Sequence, residues 1–160
     1  MPCIFWVGLS AKIATCKDEV PLSPRTNSGG LLCEVDALHP PTFAYRTNLV
    51  KCAPLDGAGK LRYPNRQEID ACLPNLVHEI NELKPRMVLL LGEKVTNAVA
   101  RYFSAPLRKW SGFDYFPLLL GDVSLVSVQH PSYIHTYLRR RRQEYVNRVG
   151  EVISRILDED

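Results

Sequence analysis

No stretch of this chain stays apolar long enough to cross a bilayer, which removes the helical membrane-spanning classes. The opening residues, Met-Pro-Cys-Ile-Phe-Trp-Val-Gly, lack the charged segment that precedes an export signal's apolar core, so they read as a first strand. Cysteine is sparse: Cys3, Cys16, Cys33, Cys52 and Cys72 stand at irregular spacing, which argues against a disulfide framework and for a reducing compartment. The expected location is therefore intracellular, in the cytoplasm. Repeats and low-complexity tracts are missing too, and with them the solenoid architectures. Net charge is only +3, so no strong overall field is expected; basic charge is concentrated locally, in the uninterrupted run Arg139 to Arg142. What is present is 160 residues at 46% hydrophobic content, enough for one domain, residues 1–160, with a sizeable core.

Strand and helix patterns alternate along the chain. Ile4 to Val7 is a short apolar run ending at Gly8, where a glycine lets backbone approach a ligand closely. Lys12, just beyond, suits either a phosphate or plain solvent. Residues 14–30 read as a loop whose Thr26-Asn27-Ser28-Gly29-Gly30 segment starts a helix, capped by Ser28 or Asn27; free N–H groups there attract an anion, or serve capping alone. That helix is expected to run to about Leu38. Phe43 to Val50 is the second strand, with Asn48 near its end either reading a polar edge with its carboxamide or sitting in a turn. The loop from Lys51 to Arg66 mixes Lys51, Lys60, Arg62 and Arg66 with Tyr63, which suits a nucleic-acid surface or a solvated loop. Gln67 to Leu83 is amphipathic, with Pro74 implying a kink or a late first turn. Met87 to Leu91 is a central strand, Glu93 to Phe103 a helix, and Trp110 to Gly121 a loop with an edge strand hairpinned onto Val123. Ser132 to about Leu157 is expected to be one final helix. This order predicts an α/β fold: a three-layer α/β/α sandwich around a mostly parallel, four-stranded sheet.

The chain pivots on Val123 to Tyr133. The strand stops at Pro131, which places His130 on the turn from a buried strand into a helix, where sites lie in open α/β sheets. An imidazole there can donate, accept or carry charge at neutral pH. Capping the next helix, or filling a gap, is the plainer role.

Five segments in order then carry a resemblance: Gly8-Leu9-Ser10-Ala11-Lys12, Thr47-Asn48-Leu49-Val50-Lys51-Cys52, Glu68-Ile69-Asp70-Ala71-Cys72-Leu73-Pro74, Val88-Leu89-Leu90-Leu91-Gly92 and His130-Pro131-Ser132-Tyr133. Together they resemble the uracil-DNA glycosylase superfamily, nearest its bacterial and archaeal iron–sulfur branches. The resemblance implies a DNA glycosylase that flips a nucleotide out of the stack and hydrolyses its N-glycosidic bond. It implies that Asn48 reads the base edge and that His130 stabilises the departing base. Gly8, Leu9, Ser10, Lys12, Leu22, Ser132 and Tyr133 would surround the substrate. Lys51, Lys60, Arg62, Arg139 and Arg140 would meet DNA, single- or double-stranded, with the protein a monomer away from membranes.

The departures matter as much. Leu9 stands where that branch usually has an acidic or amide residue that activates water; Asn27, Ser28, Asp18 and Glu19 are the substitutes. Leu22 replaces the aromatic ring that stacks on uracil, which widens the pocket and leaves Tyr45 or Tyr133 to stack. A modified or damaged base, including one in invading phage DNA, then competes with uracil as the substrate. Cys52 and Cys72 match two of the four ligands of the 4Fe–4S cluster in that branch; without the other two, no cofactor is expected. A DNA-binding member without catalysis and a hydrolase of another N-glycoside are the remaining readings.

Overall fold

The computed structural model describes residues 3–12, 20–40 and 43–159. The elements run β1 (Ile4–Ser10), α1 (Asn27–Asp36), β2 (Ala44–Val50), α2 (Arg66–Leu83), β3 (Met87–Leu91), α3 (Glu93–Phe103), β4 (Leu118–Leu120), β5 (Val123–Val128), α4 (Pro131–Tyr137) and α5 (Arg142–Asp158). One sheet holds the strands in the order β2-β1-β3-β5-β4, the first four parallel and β4 antiparallel against β5. The sheet thus has five strands rather than the expected four, the fifth being the short hairpin partner of β5.

Burial on both sides explains why the central strands are apolar without alternation. Ile4 and Trp6 of β1 pack with Leu31, Leu32 and Val35 of α1, Ile134 of α4 and Tyr145 and Val149 of α5. Phe5 and Val7 point the other way, into Ile69, Leu73 and Leu76 of α2 and Val95 and Val99 of α3. Helices therefore cover both faces: α1, α4 and α5 on one, α2 and α3 on the other.

Helix ends follow side-chain chemistry. Thr26, not Asn27 or Ser28, caps α1: its Oγ1 accepts from Gly29 N at 3.0 Å. The helix stops at Asp36, two residues short of the expected Leu38. Asn65 and Glu68 form a reciprocal capping box at the start of α2, which runs through Pro74 rather than beginning there. The expected single helix from Ser132 to Leu157 is broken. Leu138 leaves helical geometry at φ −125°, Arg139–Arg141 form one 3-10 turn, and α5 starts afresh.

Candidate active site

The chain grows outward from β1 in both directions, to β2 on one side and β3 on the other, so the sheet's switch point lies between β1 and β3. Ligands of open α/β sheets bind outside the carboxyl ends of the strands at such a point. A cleft of about 1130 Å³ opens there, lined by Gly8, Leu9 and Ser10 from β1, Asn48 from β2, Gly92 and Glu93 after β3, and His130 after β5. Gly8 and Asn48 are register partners. A Cβ added to Gly8 would lie 2.6 Å from Asn48 Oδ1. Glycine is thus what lets the Asn48 carboxamide lie across β1. Asn48 is 7% exposed, and its side chain has no hydrogen-bond partner among the described residues. Its amide atoms are not sealed from solvent, so the carboxamide is open to a ligand in the cleft.

His130 is the N-cap of α4. Its Nδ1 accepts from Ser132 N at 3.1 Å and lies 2.7 Å from Ser132 Oγ. The plainer role foreseen for this residue, helix capping, is thus present in the geometry. It also has a chemical effect. A nitrogen that accepts a backbone N–H carries no proton, so the neutral ring holds its hydrogen on Nε2. Burial first, and the charge of Lys12 second, push the His130 pKa down to about 4, so the ring is neutral at physiological pH. His130 therefore presents a neutral N–H donor at the end of a strand.

The wall opposite the sheet is the segment 20–26. Leu22 sits at φ 52°, a strained setting for a leucine, with its Cδ2 3.6 Å from the Cβ position of Gly8. A network behind it holds it there. Arg46 Nη1 donates to Leu22 O at 2.7 Å, Arg46 Nη2 pairs with Asp36 at 2.9 Å, and Trp6 Nε1 donates to the other Asp36 oxygen at 2.8 Å. Gly29 lets the loop rest directly on α1, for a Cβ there would be 1.9 Å from Ser23 O. Ser28, in the first turn of α1, lines the cleft, is 5% exposed and has no side-chain partner among the described residues.

Of the expected substrate residues, Gly8, Leu9, Ser10, Lys12, Leu22, Asn48, Ser132 and Tyr133 all line this one cleft, as do Ser28, Arg62 and His130. Others lie elsewhere. Asn27 turns its amide to His135 Nε2 at 3.2 Å and is not among the cleft-lining residues, because Thr26 holds the cap and leaves Asn27 on the outer side. Tyr45 stacks on Phe5 at 4.8 Å, within the packing against α2, so it offers no ring to the cleft. Lys51 is tied to Glu79 at 2.6 Å and Thr47 Oγ1 at 2.5 Å. Arg62 spends its guanidinium on both Glu68 oxygens, Leu55 O and Tyr63 O. Lys60, Arg139 and Arg140 are exposed and outside the cleft. Asp18, Glu19 and Cys16 lie outside the described residues. Leu61, Tyr63, Lys94, Asn97 and Tyr137 line the cleft without having been singled out as substrate residues. Tyr63 had a signal, an aromatic among basic residues, whereas Lys94 and Asn97 looked like any polar face of α3.

The described residues include four free cysteines, Cys3, Cys33, Cys52 and Cys72. Among the described residues no three His, Cys, Asp or Glu side chains gather as a metal site. Cys52 is exposed, Cys72 is half-buried against the α2 core, and Cys33 Sγ instead receives Arg46 Nη2 at 3.2 Å. Also among the described residues, no helix is long and apolar enough to cross a membrane.

Known proteins resemble this chain in sequence and in fold. The type-4 uracil-DNA glycosylase of Pyrobaculum aerophilum is 50% identical over 46 residues, covering 29% of this chain. The match spans about a fifth of that relative's length, 21%. The crystal structure of wild-type Pedobacter heparinus SMUG2 superposes with a TM-score of 0.58 at 10% identity, covering 99% of this chain and 77% of that one, a likeness of fold. The family model described as Uracil DNA glycosylase superfamily matches residues 27–153, most of the chain and most of the strand ends that form the cleft. This chain belongs to the uracil-DNA glycosylase superfamily.

Proposed function

We propose that this protein is a DNA glycosylase that hydrolyses the N-glycosidic bond of a flipped-out base and leaves an abasic site. The observation that carries the reading is the convergence of an Asn48 carboxamide without a side-chain partner among the described residues and a neutral His130 donor on one cleft at the switch point. Asn48 offers one donor and one acceptor to a base edge. As the glycosidic bond breaks, its electron pair leaves on the base, and His130 Nε2–H meets the charge that develops on a base oxygen. Water supplies the oxygen at the sugar carbon, and its proton ends on the released base. Donors fixed where charge appears are often the largest catalytic contribution. Leu9 packs partly into the α2 core and cannot take a proton. Among the described residues, Ser28 and Ser10 line the cleft and can orient the water, and stabilisation of the leaving base carries most of the rate.

The base itself is read as modified or damaged rather than plain uracil, with modified phage DNA as one source. Leu22 gives no ring to close over a flat base, and the buried hydroxyls of Ser23 and Ser28 stand beside it. A site built to hydrogen-bond a substituent rejects analogues without it. Single-turnover incubation with DNAs carrying different bases, with released bases identified by mass spectrometry, tests both levels. Fastest release of uracil would leave an ordinary repair glycosylase; release of no base would defeat the enzymatic reading. The apolar Leu9 favours one alternative, a DNA-binding member without catalysis, for which no alkali-labile site would form. In the active protein, His130→Ala should slow cleavage by about 10²–10³-fold while DNA binding stays within a few-fold.

A further inference from the structure

The cleft is too large for one base. Ligand pockets of drug-sized molecules run to roughly 300–1,000 Å³, and this one, at about 1130 Å³, extends past the strand ends onto exposed aromatic rings. Tyr133 and Tyr137 stand on α4, 48% and 71% exposed, their ring centroids 5.1 Å apart. Tyr63, 72% exposed, stands on the loop after β2. The two groups come from opposite helical layers, α4 on one face of the sheet and the loop leading into α2 on the other, yet they line the same opening.

Tyr63 is held, not trailing. Leu55 and Leu61 form an antiparallel bridge, and Asp56 Oδ1 accepts from Ala58 N and Lys60 N, both at 2.9 Å. Arg62 then joins Leu55 O at 3.0 Å, Tyr63 O at 3.1 Å and the Glu68 carboxylate at 2.6 Å and 2.9 Å. Lys94 Nζ lies 4.9 Å from the Tyr63 ring centroid. It takes one face of the ring, and the exposure of the residue leaves the other face to solvent. Lys94 and Lys12 line the cleft with no carboxylate partner among the described residues. Rings with an open face beside unpaired cations are how proteins hold unpaired nucleic acid: bases stack on the rings and phosphates meet the cations. In a duplex the bases beside an extruded nucleotide each keep one stacking partner and their pairing, whereas in a single strand every base can turn onto a ring. A second ring, across the cleft from the first, suits a strand whose bases can splay onto both.

We propose that Tyr63, backed by Lys94 and fixed by Arg62, is a stacking subsite for a base next to the flipped nucleotide, and that the substrate is single-stranded DNA. The proposal rests on the glycosylase reading for the identity of the flipped nucleotide, and its test does not.

The test is fluorescence anisotropy with a labelled oligothymidylate of about 16 nucleotides, the upper end of typical single-strand sites, and with the matching duplex. Neither probe contains a base to be excised. The single strand should bind at least about tenfold more tightly than the duplex. Tyr63→Ala should weaken single-strand binding by about 5- to 100-fold, the range for loss of one stacked base. Tyr63→Trp should retain binding. Tyr102→Ala, exposed on α3 but outside the cleft, should change nothing. Equal binding of duplex and single strand, or indifference to Tyr63→Ala with the fold intact by circular dichroism, would overturn the proposal. If Tyr63-dependent binding is found but no DNA releases a base, the glycosylase reading fails and this one stands. Excision from duplex DNA unaffected by Tyr63→Ala defeats this one alone.

Discussion

His130 caps α4 through Nδ1, and in the proposed mechanism its Nε2–H faces the leaving base, so acid acts on both. With its pKa near 4, the ring stays neutral through the physiological range, so the rate of base release should be flat from about pH 5 to pH 8. It should fall as pH drops through about 4, when a proton on Nδ1 displaces the Ser132 N–H. Folding reads the same shift. The unfolded chain takes up this proton near 6.5 and the folded chain near 4, so stability declines as pH falls across that window. Urea unfolding at pH 4.5 and pH 7 should show the decline, and His130→Phe should reduce it. Two glycines separate site from scaffold in the same way. Gly8→Ala meets only the tip of the Asn48 side chain, so the protein should fold while base release drops by about 10-fold or more. Gly29→Ala meets the backbone carbonyls of Ser23 and Leu22, which cannot swing aside, and its thermal midpoint should fall sharply.

At the scale of elements, the Trp6–Asp36–Arg46 network ties β1, α1 and β2 to the strained Leu22. The Arg46 and Asp36 side chains are 13% and 21% exposed, so removing one partner strands the other. Asp36→Ala should cost about 3–5 kcal/mol in denaturant unfolding, and Asp36→Ala with Arg46→Leu should cost less than Asp36→Ala alone. None of this was legible from the sequence, because Asp36 and Arg46 meet only once α1 and β2 have packed. Arg46 in a strand looked like any edge residue. The strands and α2, by contrast, were legible, since Met87 to Leu91 and the Ile69–Leu73–Leu76 stripe each have one physical solution. The break at Leu138 was not, for Tyr137, Leu138 and Tyr145 continue an apolar stripe, and no glycine or proline marks the stop. Gly8, Asn48 and His130 each read as standing at a strand end, the family resemblance drew them to one site, and all three line the cleft. The cap at Thr26 rather than Asn27 or Ser28 turned on a shift of one residue that capping preferences do not resolve.

The molecule as a whole has little charge to spend on DNA. Many arginines are committed: Arg46 to Asp36, Arg62 to Glu68, Arg66 and Arg101 to Asp70, Arg141 to Glu144, Arg142 to Glu34 and Arg148 to Asp114. If Lys12 and Lys94 alone meet phosphates, the logarithmic salt slope of single-strand binding should be about −1.4, at roughly 0.7 per phosphate. Titration in sodium chloride measures it, and a slope near about −3.5 would mean that Lys60, Arg139 and Arg140 also engage. The order of the sheet has a further consequence, in time rather than space. β1, the earliest strand of the fold, lies in the middle, and its partner β3 begins more than 75 residues later in the chain, at Met87. At about 5–20 residues per second of synthesis, Trp6 and Val7 wait several seconds for their neighbour. During that interval β1 can pair only with β2, and one apolar edge stands open to other nascent chains.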